Sequence, residues 1–293
     1  MNKPDCCTPV PLDENNDEYA YQLLSGNKKA CNKTELLDAL RLGQIRVFGQ
    51  PLIDLVTDDY FGIELLCRWE HPTRGLLLPA DFLPLFTTYN CEFELDLYML
   101  QNAITILEQL SHDHNTDLLI SVNIHYSSLS VKLTDNLKCL MNRYPTLAKK
   151  IRLEISEVGC VINGSEEHRI MLRIQDFGYS VSLDDFGIGA TALTYLSYLS
   201  FNEVKLDKSL IYLIFNAKDE EKKRISIMIF ETLISWLNSI SNVNIVVEGI
   251  ETDLQLNYIK SLNVNVAQGY IYGKPKPIEY FLNHLLLEKN NAK

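Results

Sequence analysis

The run Val181-Ser182-Leu183-Asp184-Asp185-Phe186-Gly187-Ile188-Gly189 decides how this chain is read. Three residues of strand character lead into two adjacent carboxylates, and a glycine-containing loop follows. Neighbouring side chains on a strand point to opposite faces, so two aspartates cannot both sit inside a packed sheet. At the mouth of a strand, where the backbone turns, both can aim into one pocket. Two anions that close repel unless a proton or a cation lies between them. A divalent metal is the common remedy, and hard metals take oxygen ligands. Taken alone, the run also fits a strand ending in an Asx-type turn with both aspartates solvated. Its surroundings choose between the two.

Outward from this run, short apolar segments alternate with amphipathic ones. Strands are predicted at 118–123, 151–155, 181–183, 203–206, 244–247 and 264–267. Helices are predicted at 92–110, 130–142, 164–177, 192–199, 219–239, 252–262 and 278–287. Earlier, 34–43 reads as a helix with Thr34 as N-cap and Gly43 as its stop. Segments 45–54 and 60–69, joined by Thr57-Asp58-Asp59, read as an antiparallel hairpin. Pro51 suggests that the first strand bends or ends there. Alternating strands and helices mean parallel βα units. About eight strands in roughly 250 residues fit a TIM-like (β/α)8 barrel. A doubly wound open sheet is the alternative, but no Gly-x-Gly-x-x-Gly follows a first strand.

A formal charge of −11 argues against a nucleic-acid partner, whose backbone favours Lys and Arg clusters. It leaves room for a small phosphate ligand, because bound metals invert the local field. No apolar run reaches the roughly 18 residues of a membrane span. Residues 1–33 read as a polar, flexible tail with a short helix near 19–24, and the N-terminus lacks a signal-peptide core. The seven cysteines have no metal-type spacing. Cys67, Cys139 and Cys160 read as small core residues, and reduced thiols fit a cytoplasmic protein. His112-Asp113-His114 reads as a solvated loop.

In a barrel, reacting groups sit at the C-terminal strand ends. Those ends carry Glu64 with Arg68, Asn123, Glu154, Asp184 with Asp185, Lys205, Glu248 and Gln268. Each has a plain alternative: Glu154 as a capping acid, Glu248 paired with Lys274, Asn123 in a turn, Lys205 as an exposed rim base. Together they make an oxygen-rich pocket with one ammonium and one guanidinium. Five carboxylates and an amide suit two Mg²⁺ or Mn²⁺ ions rather than structural zinc. Two such ions about 3.5–4 Å apart are a standard device for displacement at phosphorus. Asp184 and Asp185 fit the bridge between them. Lys205 fits a group that orients or deprotonates the attacking water, or steadies charge at phosphorus. Arg68 fits a phosphate clamp. Spacing alone gives a metal-dependent phosphodiesterase or phosphatase.

The ordered motifs resemble the EAL domain, the bacterial cyclic di-GMP phosphodiesterase. They are Glu64-Leu65-Leu66 with Arg68-Trp69-Glu70-His71-Pro72, Pro79-x-x-Phe82-Leu83-Pro84, and Ser121-Val122-Asn123. Leu153-Glu154-Ile155-Ser156-Glu157, Asp184-Asp185-Phe186-Gly187 and Val204-Lys205-Leu206-Asp207 follow. Val247-Glu248-Gly249-Ile250-Glu251-Thr252 and Gln268-Gly269-Tyr270 complete the series. The resemblance covers about residues 34–285, and the domain is taken as 34–287. It implies an EAL-type barrel whose first strand is antiparallel. It also implies hydrolysis of cyclic di-GMP to linear pGpG. Glu64, Asn123, Glu154 and Asp184 would hold one metal, and Asp184, Asp185 and Glu248 the second. Lys205 would position the water with Gln268 close by, making Lys205, Glu248 and Glu64 the catalytic set. Arg68 would contact a substrate phosphate, Gln50 would line the pocket, and Glu157 and Glu251 would support the loop after Asp185. A homodimer is implied, with bacterial signalling in motility or biofilm adhesion, in a stand-alone cytoplasmic enzyme. The chain departs from the pattern at Leu65, at Ile188 and Ala190 of the loop, and after Pro84, where an acid is missing. A non-catalytic EAL protein binding the nucleotide or a protein partner is the alternative, and a general phosphatase a third.

Overall fold

The computed structural model describes residues 31–113, 118–156, 163–187 and 196–290. Strand β1 (Ile45–Asp54) pairs antiparallel with β2 (Tyr60–His71), placing Gln50 opposite Glu64. Asp54 closes the turn, its Oδ1 accepting the Val56 and Thr57 N–H groups at 2.8 and 3.0 Å. β1 runs on through Pro51, and its register shifts just beyond, between Leu52 and Ile53. The remaining strands are β3 (Gly75–Leu77), β4 (Leu119–Ile124), β5 (Ile151–Ser156), β6 (Ser180–Phe186) and β7 (Glu203–Leu206). They are followed by β8 (Asn244–Val247), β9 (Val266–Ala267) and β10 (Lys276–Pro277). The order β1-β9-β8-β7-β6-β5-β4-β2 closes on itself through the β1–β2 pairing. Closure excludes the open doubly wound sheet. β2 and β4 to β9 are parallel, and β1 is antiparallel to both its neighbours.

Helices wrap the barrel, and polar caps start many of them. Asn32, not Thr34, caps the helix Lys33–Arg41, accepting Glu35 N–H at 2.9 Å. Ser130, Ser165 and Asp219 cap Val131–Arg143, Glu166–Asp176 and Glu220–Asn238, and Thr252 with Gln255 forms a capping box for Asp253–Ser261. Helices at Pro79–Thr88, Pro145–Ala148 and Lys208–Asn216 escape the pattern reading. The first two carry internal or leading prolines, and the third is apolar on several faces. Residues 196–199, expected to be helical, form turns, and 192–195 lie outside the described residues. His112 and Asp113 continue the helix Glu92–Asp113 rather than forming a loop, and His114 lies outside the described residues. So do the expected tail up to residue 30, with Cys6 and Cys7, and Cys160. Cys139 is half-exposed on its helix and disulfide-bonded, not a core thiol.

Strand alternation sorts the side chains. Ile120, Val122, Leu153, Ile155, Val181 and Val204 pack outward into one large core shared with the helices. Inside, Leu52, Val246 and Val266 plug the barrel against Phe61. The next layer is charged: Arg152 is hydrogen-bonded to Glu203, which also accepts from Ser182 Oγ at 3.0 Å. The Arg152 guanidinium lies over the Phe61 ring, 5.0 Å from its centroid. A buried pair of this kind holds only because each member is partnered. Above it stands the layer that carries Glu64, Glu154, Asp184 and Lys205.

Two close arrangements have measurable consequences. A Cβ on Gly269 would fall 2.0 Å from the Ile250 carbonyl oxygen, which is backbone and cannot yield. Gly269→Ala is expected to cost about 2–3 kcal/mol in denaturant unfolding. Asp96 is buried on the helix Glu92–Asp113 and accepts the His125 N–H at 2.9 Å. Burial pushes its carboxyl up to about 7. The folded chain therefore holds a proton that the unfolded chain releases above about pH 4, so this residue's stabilisation falls as pH rises from about 4 to about 7. Asp96→Asn is expected to flatten that part of the pH–stability curve, read by urea melts across this range.

Candidate active site

Each parallel strand delivers its polar group on the inward phase. Register pairs Asn123 with Glu154, and Lys205 lies beside Val246, one place from the strand end that leads to Glu248. Asp184 is also inward, two residues above Ser182. Asp185 is out of phase by alternation, and the backbone corrects it. Its φ is 56°, in the left-handed region, and the β6–β7 register shifts between Leu183 and Phe186. Strain of this kind is uncommon outside asparagine, aspartate and glycine. Carboxylate oxygens of Asp184, Asp185 and Glu248 thereby lie within 4.8 Å of one another.

Lys205 stands at the centre, only 1% exposed. Its Nζ lies 2.7 Å from Glu248, 3.0 Å from Glu154, and 3.3 Å from both Glu64 and Asp184. The expected alternative of an exposed rim base is therefore not what the fold makes. Nor does Glu248 pair with Lys274, whose ammonium sits over the Tyr270 ring at 5.1 Å. Glu64 is gripped from two more sides: Gln268 Nε2 donates to its Oε2 at 2.7 Å and Asn123 Nδ2 to its Oε1 at 2.9 Å.

Burial works against the charge on Lys205, but Asp184, Glu154, Glu248 and Glu64 outweigh it and hold the ammonium well above its usual range. Burial also pushes up Glu64, yet Lys205 and the donors from Gln268 and Asn123 win, and its carboxyl stays low. The remaining acids share too little cation. Burial, with neighbouring acids added, pushes Glu154 up, Glu248 up to about 7 and Asp185 up to about 6. Glu154 Oε1 and Asp184 Oδ1 are buried without a hydrogen-bond partner; the Asp184 oxygen is near Lys205 but poorly aligned for a bond. Crowded, under-neutralised carboxylates with orphaned oxygens fit divalent cations with hard oxygen preferences.

Among the described residues, two cavities flank Glu64. One, of about 270 Å³, is lined by Gln50, Asp184, Lys208, Glu248, Gln268 and Tyr270 among others. The other, of about 330 Å³, is mainly apolar, with Leu66, Leu83, Phe86 and Met99 around Asp96, and reaches Asn123. Gln50 thus lines a pocket, donating to the Gly273 carbonyl at 3.4 Å. Glu251 is exposed on the wall of the first cavity, and Glu157 lies outside the described residues. Arg68 lines neither cavity. Its Nη1 donates to the Cys67 carbonyl at 2.8 Å and its guanidinium lies 5.5 Å from the Phe48 ring centroid. The sequence reading names neither Lys208 nor Asp96, and it names Tyr270 only within the Gln268-Gly269-Tyr270 motif. Lys208 follows a helix cap, Asp207, and that cap was the available signal.

The EAL domain family model matches residues 33–275. Similar proteins include the cyclic di-GMP phosphodiesterase NbdA of Pseudomonas aeruginosa, 29% identical over 262 residues, covering 89% of this chain and 33% of NbdA. The cyclic di-GMP phosphodiesterase RocR of the same organism is 26% identical, covering 85% of this chain and 62% of RocR. The chain thus spans about a third to three fifths of the length of these relatives. Among solved structures, the MucR phosphodiesterase in complex with cyclic di-GMP superposes with a TM-score of 0.74 at 28% identity, covering 85% of this chain and 98% of that one. An EAL domain protein from Listeria monocytogenes gives 0.73 at 25% identity, covering 88% and 98%. With the barrel closed and its acids gathered at one mouth, the match leaves one conclusion: this chain belongs to the EAL domain family.

Proposed function

We propose that this chain hydrolyses cyclic di-GMP to linear pGpG and so lowers a bacterial second messenger. The observation that carries the reading is the convergence of Asp184, Asp185 and Glu248 within 4.8 Å, beside a lysine that four carboxylates surround. Glu64, Asn123, Glu154 and Asp184 would hold one Mg²⁺ or Mn²⁺ ion, and Asp184, Asp185 and Glu248 a second. Bound there, the ions would supply Lewis-acid polarisation of the phosphoryl group and an acidified water.

The chain's own residues do the rest. Lys205, fully charged, positions the nucleophilic water and steadies negative charge gathering at phosphorus. Gln268 has its amide nitrogen committed to Glu64, and its buried Oε1 has no partner. That oxygen can accept one O–H of the water and turn its lone pair toward phosphorus. Water adds to one phosphorus, the bond to the 3′ oxygen breaks, and that oxygen takes up a proton. The ring opens and leaves a 5′-phosphate. Two cavities meeting at Glu64 suit a ligand of two halves joined at the reacting group, the polar one holding Gln50 and Gln268. Arg68 reaches a phosphate by leaving the Cys67 carbonyl. Glu251, and Glu157 by its place in the sequence, support the neighbouring loop.

A second copy of the chain would cover one apolar face. Tyr212, Leu213, Met228 and Ile229 are each more than half exposed on the helices Lys208–Asn216 and Glu220–Asn238. Large apolar side chains exposed on two helices that pack against each other mark an interaction surface. Leu210 of the first helix lies against Gly187, where a Cβ would fall 2.9 Å from Leu210 Cδ1, so this face adjoins the strand end that bears the two aspartates. We infer from the family resemblance a homodimer acting in the cytoplasm. Among the described residues no helix is long and apolar enough to cross a membrane.

Purified protein with Mg²⁺ or Mn²⁺ is expected to convert cyclic di-GMP to pGpG by chromatography, and chelation with EDTA to stop it. Lys205→Met and Glu64→Ala should each lower kcat by about 10²–10⁴. No turnover by the unaltered dimer with either ion, or full turnover by both variants, defeats the reading. Met228→Glu combined with Ile229→Glu is expected to shift the mass in light scattering from dimer to monomer.

A further inference from the structure

Lys208 is the one cationic side chain among the described residues that lines the polar cavity beside the acids. Its position is built into the fold. Gly249, next to Glu248, has φ of +72°, and a Cβ there would fall 2.3 Å from Lys208 Cβ. Only glycine lets the stem of Lys208 lie directly against the strand end that carries Glu248. Asp207 accepts the Ser209 N–H at 2.8 Å and starts the helix Lys208–Asn216, which places Lys208 at its first residue. The side chain is exposed and enters none of the ion pairs among the described residues.

The other nearby cations are committed elsewhere. Lys205 is surrounded by four carboxylates. Arg68 lines neither cavity and is the contact proposed above for the phosphate under attack. Lys274 covers the Tyr270 ring. Yet a cyclic dinucleotide carries two phosphodiesters. On the reading above, the one under attack would lie at the acid cluster. The other would stay anionic, and the polar cavity beside that cluster has Asp184, Glu248 and Glu251 in its wall. An unneutralised anion there is repelled by every one of them.

We propose that Lys208 binds the phosphodiester that is not cut, and so gives the site its preference for a substrate with two phosphates. The inference rests on reading the site as a cyclic di-GMP phosphodiesterase. It assigns Lys208 to binding and specificity, with the bond-breaking left to the residues named above.

The test is steady-state kinetics of the full chain, Lys208→Ala and Lys208→Arg with Mn²⁺. The substrates are cyclic di-GMP and bis(p-nitrophenyl) phosphate, which has a single phosphodiester. For Lys208→Ala, KM for cyclic di-GMP is expected to rise about tenfold, with kcat falling less than about threefold, as for a lost ground-state contact. Loss of kcat/KM should be at least about fivefold greater on cyclic di-GMP than on the one-phosphate substrate. Lys208→Arg should recover most of it, because the charge is kept. Equal losses on both substrates, a fall in kcat at constant KM, or kinetics of Lys208→Ala matching the unaltered protein would each overturn the assignment. If the unaltered protein leaves cyclic di-GMP intact, the parent reading goes first. If it cuts cyclic di-GMP and Lys208→Ala does so with the same KM, only the role of Lys208 goes.

Discussion

The barrel mouth is short of positive charge, and the rest of the structure is arranged around that shortage. One buried ammonium, Lys205, serves Glu64, Glu154, Asp184 and Glu248. Desolvation disfavours every one of these charges, and only mutual attraction keeps them. The attraction is enough for Lys205 and Glu64, whose charged forms are favoured. It is not enough for Glu154, Glu248 and Asp185, whose carboxyls are pushed toward the neutral form. A site in that condition gains most from added cations, and a phosphate brought in without them would meet repulsion.

Crowding of this degree needs a scaffold that gives the acids no way to move apart. Parallel strands provide it by repetition. Two residues along a strand return a side chain to the same face. Arg152 and Glu154, Ser182 and Asp184, and Glu203 and Lys205 therefore form two stacked layers from the same three strands. The lower layer pairs its own charges through Arg152 and Glu203. The upper layer has no such balance, and its excess is what makes it a candidate for chemistry. Asp185 breaks the repeat. A left-handed residue at the end of β6 turns its carboxylate back toward Asp184, so two neighbours in sequence share one face.

The two cavities beside Glu64 differ in character because different elements wall them. Helices Pro79–Thr88 and Glu92–Asp113 line one with aliphatic and aromatic side chains. On the other side the wall is backbone-rich, with Gly249 and Gly269 permitting close approach to Lys208 and Ile250. Glycine there is a matter of contact distance, since any side chain would collide. The helix that follows Lys208 also packs against Gly187 and turns Tyr212 and Leu213 outward, so one element borders the cavity, the aspartate turn and the apolar face.

Much of this was legible in the chain. Short apolar segments between amphipathic ones marked the strands, and the polar residues read at their ends named Glu64, Asn123, Glu154, Asp184, Lys205, Glu248 and Gln268, although Glu64 lies within β2 rather than at its end. Such signals are local, and local pattern is what a strand's geometry imposes on its sequence. The helices Pro79–Thr88 and Lys208–Asn216 were not visible, because prolines interrupt one and apolar residues spread around the other. Distances and burial depend on residues far apart in the chain, so only the closed barrel could decide them. It buried Lys205 among four acids instead of leaving it on the rim, turned Arg68 onto the Cys67 carbonyl, and brought Lys208 against Gly249. Sequence determined which chemical groups stand at the strand ends; closure of the sheet determined which of them share a charge, because electrostatic coupling follows separation in space and not along the chain.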